Sequence, residues 1–199
     1  SCATGSFDVT RVLLQAGADV RKRTHNGFTP LMIAIRSESE INLIETLTQN
    51  LTYEDINLQA QDGNTALHFA VSTANPNKLI LVLLMDKGAR VNLRNQEGNT
   101  PLHLACQSDK FVHVDFLLKQ SADASSLNQS SQTPLHFAAP IGNVEIMSAL
   151  LSFGCPINQV DVDGSTALHN AASKGNHQAV QFLIKSNARL NVFDRKGFT

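Results

Sequence analysis

The sequence predicts an all-α repeat solenoid of stacked helix-turn-helix units that are joined by β-hairpin fingers. One observation is a recurring block of Thr, then Pro or Ala, then Leu, then His or Met, whose starts are spaced by 36, 35, 33 and 33 residues. A second is an apolar row in each unit, such as Phe116-Leu117-Leu118. A unit of about 33 residues cannot bury its own apolar face, so neighbouring units must stack. The blocks begin at Thr29, Thr65, Thr100, Thr133 and Thr166.

Each block predicts the start of a first helix. The threonine hydroxyl can cap the first turn, and proline suits the first helical position because its missing N–H would have no partner there. Leu102 and Ala105 then lie three residues apart on one helical face, as do Leu135 and Ala138.

A second helix and a finger follow in each unit. The second helix carries the apolar row and ends at Gly17, Gly88, Gly154 or Asn187, the residue types that suit a C-terminal cap. A polar turn such as 161–164 then passes the chain to the next block, which predicts a β-hairpin finger.

Taken together, these features resemble the ankyrin-repeat family over the whole chain. The resemblance implies one domain over residues 1–199, in which a partial repeat at 1–28 precedes full repeats at 29–64, 65–99, 100–132, 133–165 and 166–198. Thr199 opens a further repeat, and residues 1–5 align with the middle of a first helix at 171–175. We therefore expect the array to continue beyond both ends.

Three departures from the pattern stand out. Met32 replaces the motif histidine in one repeat, and Ser131 replaces the turn glycine before Thr133, which predicts a looser or bent finger. The repeat at 29–64 has extra residues at 37–40 and 50–53, and the repeat at 65–99 has two at 74–77. Loops absorb insertions at little cost, so these are neutral variation or, alternatively, a recognition feature.

Composition narrows the class of function. The chain has 199 residues, 42% of them apolar, a net charge of −1 and no basic run, which argues against nucleic-acid binding. No apolar stretch approaches the length of about 18 residues that spans a bilayer, so membrane insertion is not expected. Cys2, Cys106 and Cys155 occupy small-residue packing positions of the repeat, which indicates a reducing, intracellular location in the cytoplasm, with the nucleus as an alternative.

The four motif histidines, His68, His103, His136 and His169, invite a metal or catalytic interpretation. One histidine per repeat gives a ladder with steps of about 10 Å, whereas zinc needs its ligand nitrogens at about 2 Å from one ion. We therefore expect each imidazole to order its helix start and the neighbouring finger by hydrogen bonds. No phosphate loop or nucleophile motif occurs, so the sequence predicts neither an enzyme nor a cofactor.

The resemblance implies a protein–protein interaction module that binds a partner protein or peptide in a concave groove of fingers and first helices, within a larger scaffold or adaptor. The alternative is a non-catalytic targeting or regulatory region of a larger enzyme, ubiquitin-ligase receptor or channel. The sequence sets no oligomeric state. Carried over repeat by repeat, the groove positions proposed for partner binding are Phe28, Arg94, Gln96, Leu127, Ile141, Val160, Val162, Lys174, Phe193, Arg195 and Phe198.

The later groove positions are more apolar than the early ones. Exposed apolar clusters often mark contact sites, so Ile141, Val162 and Phe198, beside Lys174 and the basic pair Arg195-Lys196, suit a peptide with apolar anchors and acidic character. The alternative is that Leu127, Val160 and Phe193, which share one repeat position, pack finger against finger.

Overall fold

The computed structural model describes residues 12–49, 51–75 and 77–199. Backbone contacts divide the chain into two compact units, Ser1–Gln96 (unit 1) and Glu97–Thr199 (unit 2). Residues 12–15 are helical. The later helices of unit 1 are α1 (Pro30–Arg36), α2 (Ile41–Thr48), α3 (Tyr53–Ile56), α4 (Ala66–Ser72) and α5 (Lys78–Asp86); those of unit 2 are α6 (Pro101–Gln107), α7 (Phe111–Lys119), α8 (Pro134–Ala138), α9 (Val144–Ser152), α10 (Ala167–Ser173) and α11 (His177–Lys185).

The predicted all-α repeat solenoid is confirmed as the fold class. In unit 1 the first helices α1 and α4 pack together, as do the second helices α2 and α5. In unit 2 the order is α6, α8 and α10 for the first helices and α7, α9 and α11 for the second. The single domain and the repeat boundaries stay predictions, and residues 1–11 of the partial repeat, with Cys2, lie outside the described residues.

The recurring block starts each first helix as its chemistry predicts. The backbone N–H groups of Met32, His68 and His169 each approach the hydroxyl oxygen of the preceding cap threonine, at 3.3, 3.4 and 3.5 Å. Proline occupies the start of α1, α6 and α8. At Met32 the sulfur replaces the imidazole and accepts the N–H of Thr29 at 3.5 Å. The cap therefore survives the loss of histidine, but a thioether has no hydrogen to donate to a neighbouring finger.

The core lies between the first and second helices of each unit. The leucine of each motif block is almost fully buried in four of the five repeats, and the second helices add Leu84, Leu117 and Leu150. Cys106 and Cys155 are also buried and unbridged. Burial raises the pKa of Cys106 well above its usual range and that of Cys155 to about 11, so both thiols stay protonated and act as packing groups. The four buried motif leucines are Leu31, Leu67, Leu102 and Leu135.

The β-hairpin form of the fingers stays a prediction. The described residues contain no β-strand, and the fingers there are tight turns. In one finger of unit 1, two backbone hydrogen bonds close the turn: the Gly63 N–H donates to the Ala60 carbonyl and the Ala60 N–H donates to the Asn64 carbonyl, both at 2.9 Å.

The finger at Ser131 is not looser than the others, contrary to the expectation from its missing glycine. Ser131 adopts the left-handed backbone itself, with φ of 58°. Its N–H donates to the Asn128 carbonyl and the Asn128 N–H donates to the Gln132 carbonyl, both at 3.0 Å. Serine therefore closes the same turn at a cost in backbone strain.

The inserted residues 51–53 lead into the short helix α3 rather than an irregular loop. The Thr52 hydroxyl caps it at the Asp55 N–H, at 3.3 Å. Tyr53 packs beside Gly88, and its hydroxyl accepts a hydrogen bond of 2.6 Å from Nε of Arg90. The insertion thus contacts the segment that follows α5 in the next repeat. A role of the insertion in recognition stays a prediction.

None of the helices among the described residues combines the length and the apolar character that crossing a membrane requires.

Candidate functional site

The motif histidines tie each helix start to the following finger. In unit 2 the Thr133 N–H donates to Nδ1 of His136 at 3.1 Å, and Nε2 of His136 lies 3.2 Å from the Ser165 carbonyl. An amide can only donate and a carbonyl can only accept, so His136 is neutral with its proton on Nε2. The equivalent finger bonds of His103 to Gln132 and of His169 to Phe198 measure 3.1 and 3.2 Å. The expected structural role is confirmed for His103, His136 and His169.

Burial also favours the neutral form of the His136 imidazole. Burial lowers the pKa of His136, because desolvation disfavours the charged ring; the Ser165 carbonyl and the charge of Asp161 oppose this in part. Across residues 12–49, 51–75 and 77–199, no group of three His, Cys, Asp or Glu side chains is placed to hold a metal ion.

Neighbouring fingers are joined by backbone hydrogen bonds. In unit 1 the N–H of Gln96 donates to the Asp62 carbonyl at 2.9 Å. In unit 2 the N–H groups of Val162 and Arg195 donate to the carbonyls of Ser130 and Asp163, at 3.0 and 2.8 Å. All three donors are predicted site residues, and all three are exposed. These hydrogen bonds fix their backbone, and their side chains stay accessible.

Ile141 and Lys174 lie at one pocket of about 320 Å³ on the finger and first-helix face of unit 2. Phe137, Pro140 and Ile141 provide the apolar part of its lining. Four uncharged polar side chains and the neutral imidazole of His136 provide most of the rest. Among the residues that the structure describes, Lys174 is the only charged one that lines this pocket. The polar residues are Gln107, Gln132, Asn170 and Ser173.

A second pocket of about 510 Å³ adjoins the first, because Asn170 and Ser173 line both. It contains Phe198 and Lys196, together with Asp194. Phe198 is 65% exposed, and its carbonyl is held by His169. Among the predicted residues, the structure therefore brings Ile141, Lys174 and Phe198 onto one continuous stretch of surface.

The other predicted residues of unit 2 lie away from these pockets. Leu127, Val160, Val162 and Phe193 are exposed by 37%, 39%, 43% and 67%, and none of them, nor Arg195, lines either pocket. Their role in partner binding stays a prediction.

In unit 1 the predicted residues form a more polar surface. Phe28 is half-buried and packs edge to face on Phe69, with ring centroids 5.5 Å apart. Arg94 is exposed, and its carbonyl accepts a bond of 2.8 Å from Nε2 of Gln59. The cationic group over the Phe28 ring is the guanidinium of Arg36, at 4.6 Å.

The site prediction omitted the residues that directly follow the motif histidine. Phe137 and Asn170 line the first pocket, and Phe69 is the equivalent residue in unit 1. The signal was helical spacing: Phe137 lies three and four residues before Pro140 and Ile141, so all three share one face of the chain.

Comparisons with known proteins agree with this architecture. A family described as ankyrin repeats (3 copies) matches residues 41–128 and 113–194, and one described as ankyrin repeats (many copies) matches residues 2–48. No curated protein matches the chain.

Proposed function

The chain belongs to the ankyrin-repeat family, and we propose that it binds a partner protein or peptide through the finger and first-helix face of unit 2, within a larger scaffold or adaptor. Ankyrin repeats are generally protein–protein interaction modules and are typically non-catalytic. The finer assignment, to unit 2 and to its pockets, is supported by the chemistry of that surface.

The observation that carries the proposal is the pocket lined by Phe137, Pro140 and Ile141. Its volume of about 320 Å³ is large enough for one bulky side chain. An apolar side chain that enters it removes apolar surface from water, which is the main source of hot-spot energy at interfaces. The anchor of the partner is therefore an aliphatic or aromatic residue.

The polar lining defines what surrounds that anchor. The carboxamides of Gln107, Gln132 and Asn170 carry both donors and acceptors, as the backbone of an extended peptide requires. Part of this capacity is already used, because Gln132 accepts from Asn128 and donates to Asp161, and Asn170 donates to the His136 carbonyl. Lys174, at the rim, favours a carboxylate beside the anchor and disfavours a basic residue there. The preferred partner segment is an extended peptide with an apolar anchor and an acidic neighbour.

The adjoining pocket extends this footprint. Phe198 offers a second apolar contact and Lys196 a second cation. Because the two pockets share Asn170 and Ser173, one extended segment can contact both. A peptide with two apolar anchors then binds more tightly than either half alone.

The test uses peptides selected for binding to this chain from a random displayed library, with affinities measured by fluorescence anisotropy. We expect Ile141→Asp to weaken binding more than about tenfold, or about 1.4 kcal/mol, because it puts a charge in the apolar pocket and repels the acidic neighbour. The matched control is Ile184→Asp, since Ile184 is also an exposed isoleucine but lies on the second helix α11.

The opposite pattern would contradict the assignment. If Arg23→Glu, Arg36→Glu and Arg94→Glu together abolish binding while Ile141→Asp has no effect, the contact is polar and lies in unit 1. Circular dichroism and melting temperature check that each variant keeps its fold.

A further inference from the structure

Arg36, the last residue of α1, holds its guanidinium against two phenylalanine rings in unit 1. Its Cζ atom lies 4.6 Å from the ring centroid of Phe28 and 5.6 Å from that of Phe69. The two rings pack edge to face at an interplanar angle of 66°. Cation–π contacts at these distances favour orientations that keep the guanidinium against the two rings.

The rings themselves are fixed by the fold. Phe28 ends a finger, where its carbonyl accepts the Thr24 N–H at 3.0 Å and its own N–H donates to the Thr24 hydroxyl at 3.1 Å. Phe69 lies on α4 and is half-buried. The guanidinium therefore rests on two aromatic rings that are placed by one finger and one first helix.

The polar edge of this guanidinium is available. Within the described part of the chain, the Arg36 side chain makes no hydrogen bond or ion pair. Glu38, two residues further on, accepts bonds from the N–H groups of Ala74 and Asn75 and from the Asn75 amide, so its carboxylate is directed to that loop. The carboxylate of Asp62, another acidic group of unit 1, likewise has partners other than Arg36, because it accepts hydrogen bonds from the backbone and side chain of Asn64.

Arg23, another cation of unit 1, already makes hydrogen bonds within the fold. The Arg23 side chain donates to the Gly27 carbonyl at 3.1 Å and also to the Gln59 carbonyl. Arg36 thus offers one charge, and one charge suits a carboxylate better than a phosphate dianion, which is usually bound by several basic groups.

We propose that the Arg36 guanidinium, supported by Phe28 and Phe69, is a binding site for a carboxylate of an acidic side chain on a protein partner. The planar fork of arginine matches the two oxygens of a carboxylate, and the aromatic support lowers the conformational entropy that is lost when this ion pair forms. The site lies within unit 1 and does not depend on the unit 2 pockets, so either proposal can fail without the other.

The experiment follows the side-chain Nε–Hε signal of Arg36 by ¹⁵N NMR in the full chain at physiological salt. The probes are a capped tetrapeptide with two central glutamates, its glutamine counterpart, and a counterpart with phosphoserine. We expect the glutamate peptide to shift the Arg36 signal saturably, with a midpoint about two- to fivefold lower than for the exposed Arg195. The glutamine peptide should leave the signal unchanged.

Variants separate the stacked arrangement from simple charge. Arg36→Lys keeps the charge but loses the planar fork, and Phe69→Leu keeps apolar volume but removes a ring; for Arg36→Lys the response of the backbone amides of α1 replaces the lost side-chain signal. Both should raise the midpoint toward that of an unsupported cation, at an unchanged melting temperature. The proposal is overturned if Arg36 responds no more strongly than Arg195, if Phe69→Leu has no effect, or if only the phosphoserine peptide binds.

Discussion

Units 1 and 2 contain the same repeat, but the aromatic residue that follows the motif histidine has different neighbours in the two units. Arg36 and Gln107 lie seven residues after Thr29 and Thr100, and Phe69 and Phe137 lie four residues after the next cap threonine. In unit 1 the guanidinium of Arg36 covers Phe69. In unit 2 the shorter Gln107 and Phe137 both line an open pocket. At this repeat position, unit 1 therefore has a cation that covers the aromatic ring, and unit 2 has a carboxamide beside an open pocket.

The units also depart from the repeat at different points of the scaffold. Unit 1 has methionine at Met32, where the motif has histidine, and inserted residues in its loops. Unit 2 keeps its motif histidines but has Ser131 in place of a turn glycine. Helix starts and fingers therefore tolerate change independently, as long as the buried leucines stay in place.

The largest expected effect tests whether the two cores are equivalent. Leu67 and Leu135 occupy the same motif position and are 1% and 0% exposed. Leu67→Ala and Leu135→Ala should each reduce the free energy of unfolding by about 2–5 kcal/mol, through lost burial and a residual cavity. Urea denaturation followed by circular dichroism measures both. A cost below about 1 kcal/mol at only one of the two positions would show that the cores are not equivalent.

The repeated core position of the motif leucine is also the part of the fold that the sequence predicts best. The spacing from Thr133 to Thr166 and the leucine two residues after each threonine define the stack, because a 33-residue repeat has no other way to bury its apolar row. The hydrogen bonds of His136 to its own helix start and to the next finger follow from the same repetition.

The surface is less predictable, because repetition says which positions face outward but not which of them meet. Ile141 and Lys174 were both expected at the site, and they share a pocket. Val162 belongs to the same predicted apolar group, yet it lines neither pocket. The contact of Arg36 with Phe69 joins residues from two repeats and depends on side-chain length, which no motif records.

The second prediction compares the finger turns of the two units. A β-carbon on Gly63 would lie 2.5 Å from the backbone nitrogen of Gln96, whereas at Gly164 the nearest atom, Cα of Asp194, is 3.3 Å away. Both glycines have a positive φ of about 77–78°. Gly63→Ala should therefore cost about 2–4 kcal/mol, from backbone strain and overpacking, and Gly164→Ala about 1–2 kcal/mol, because the strain is the same but the neighbouring backbone has to move only slightly.

Thermal and urea unfolding of the two alanine variants measure this difference. Equal losses would mean that the fingers of unit 1 can separate without cost, and that the close approach at Gly63 is not a constraint on the folded state.

The third prediction concerns pH and uses Met32 as the natural comparison. The pKa of His136 is lowered in the folded chain, so the unfolded chain binds a proton at higher pH. The stability that neutral His136 contributes is therefore fully present above the unfolded pKa of about 6.5, and it is lost as the pH falls from there through the folded pKa.

His136→Met reproduces the arrangement at Met32, which has no titrating group. We expect the difference in melting temperature between pH 7.5 and pH 5.5 to be smaller in His136→Met than in the wild type, although the variant is less stable overall because it loses the bond to Ser165. An unchanged difference would show that protonation of His136 is not linked to unfolding.

The smallest effect is a gain in stability at the one finger of unit 2 that closes on serine. Ser131 has φ of 58°, a conformation that costs a residue with a β-carbon about 1–2 kcal/mol, and within the described residues its hydroxyl makes no hydrogen bond that the change would remove. Glycine relieves this strain but gives the unfolded chain more freedom, which offsets about 0.4–1 kcal/mol. Ser131→Gly should therefore raise the free energy of unfolding by up to about 1 kcal/mol in urea denaturation.

The neighbouring Ser130→Gly is the control. Ser130 does not have a positive φ, so its change to glycine only adds freedom to the unfolded chain. If Ser131→Gly destabilises the chain as much as Ser130→Gly does, the left-handed backbone at Ser131 is not strained, and the two kinds of finger are energetically the same.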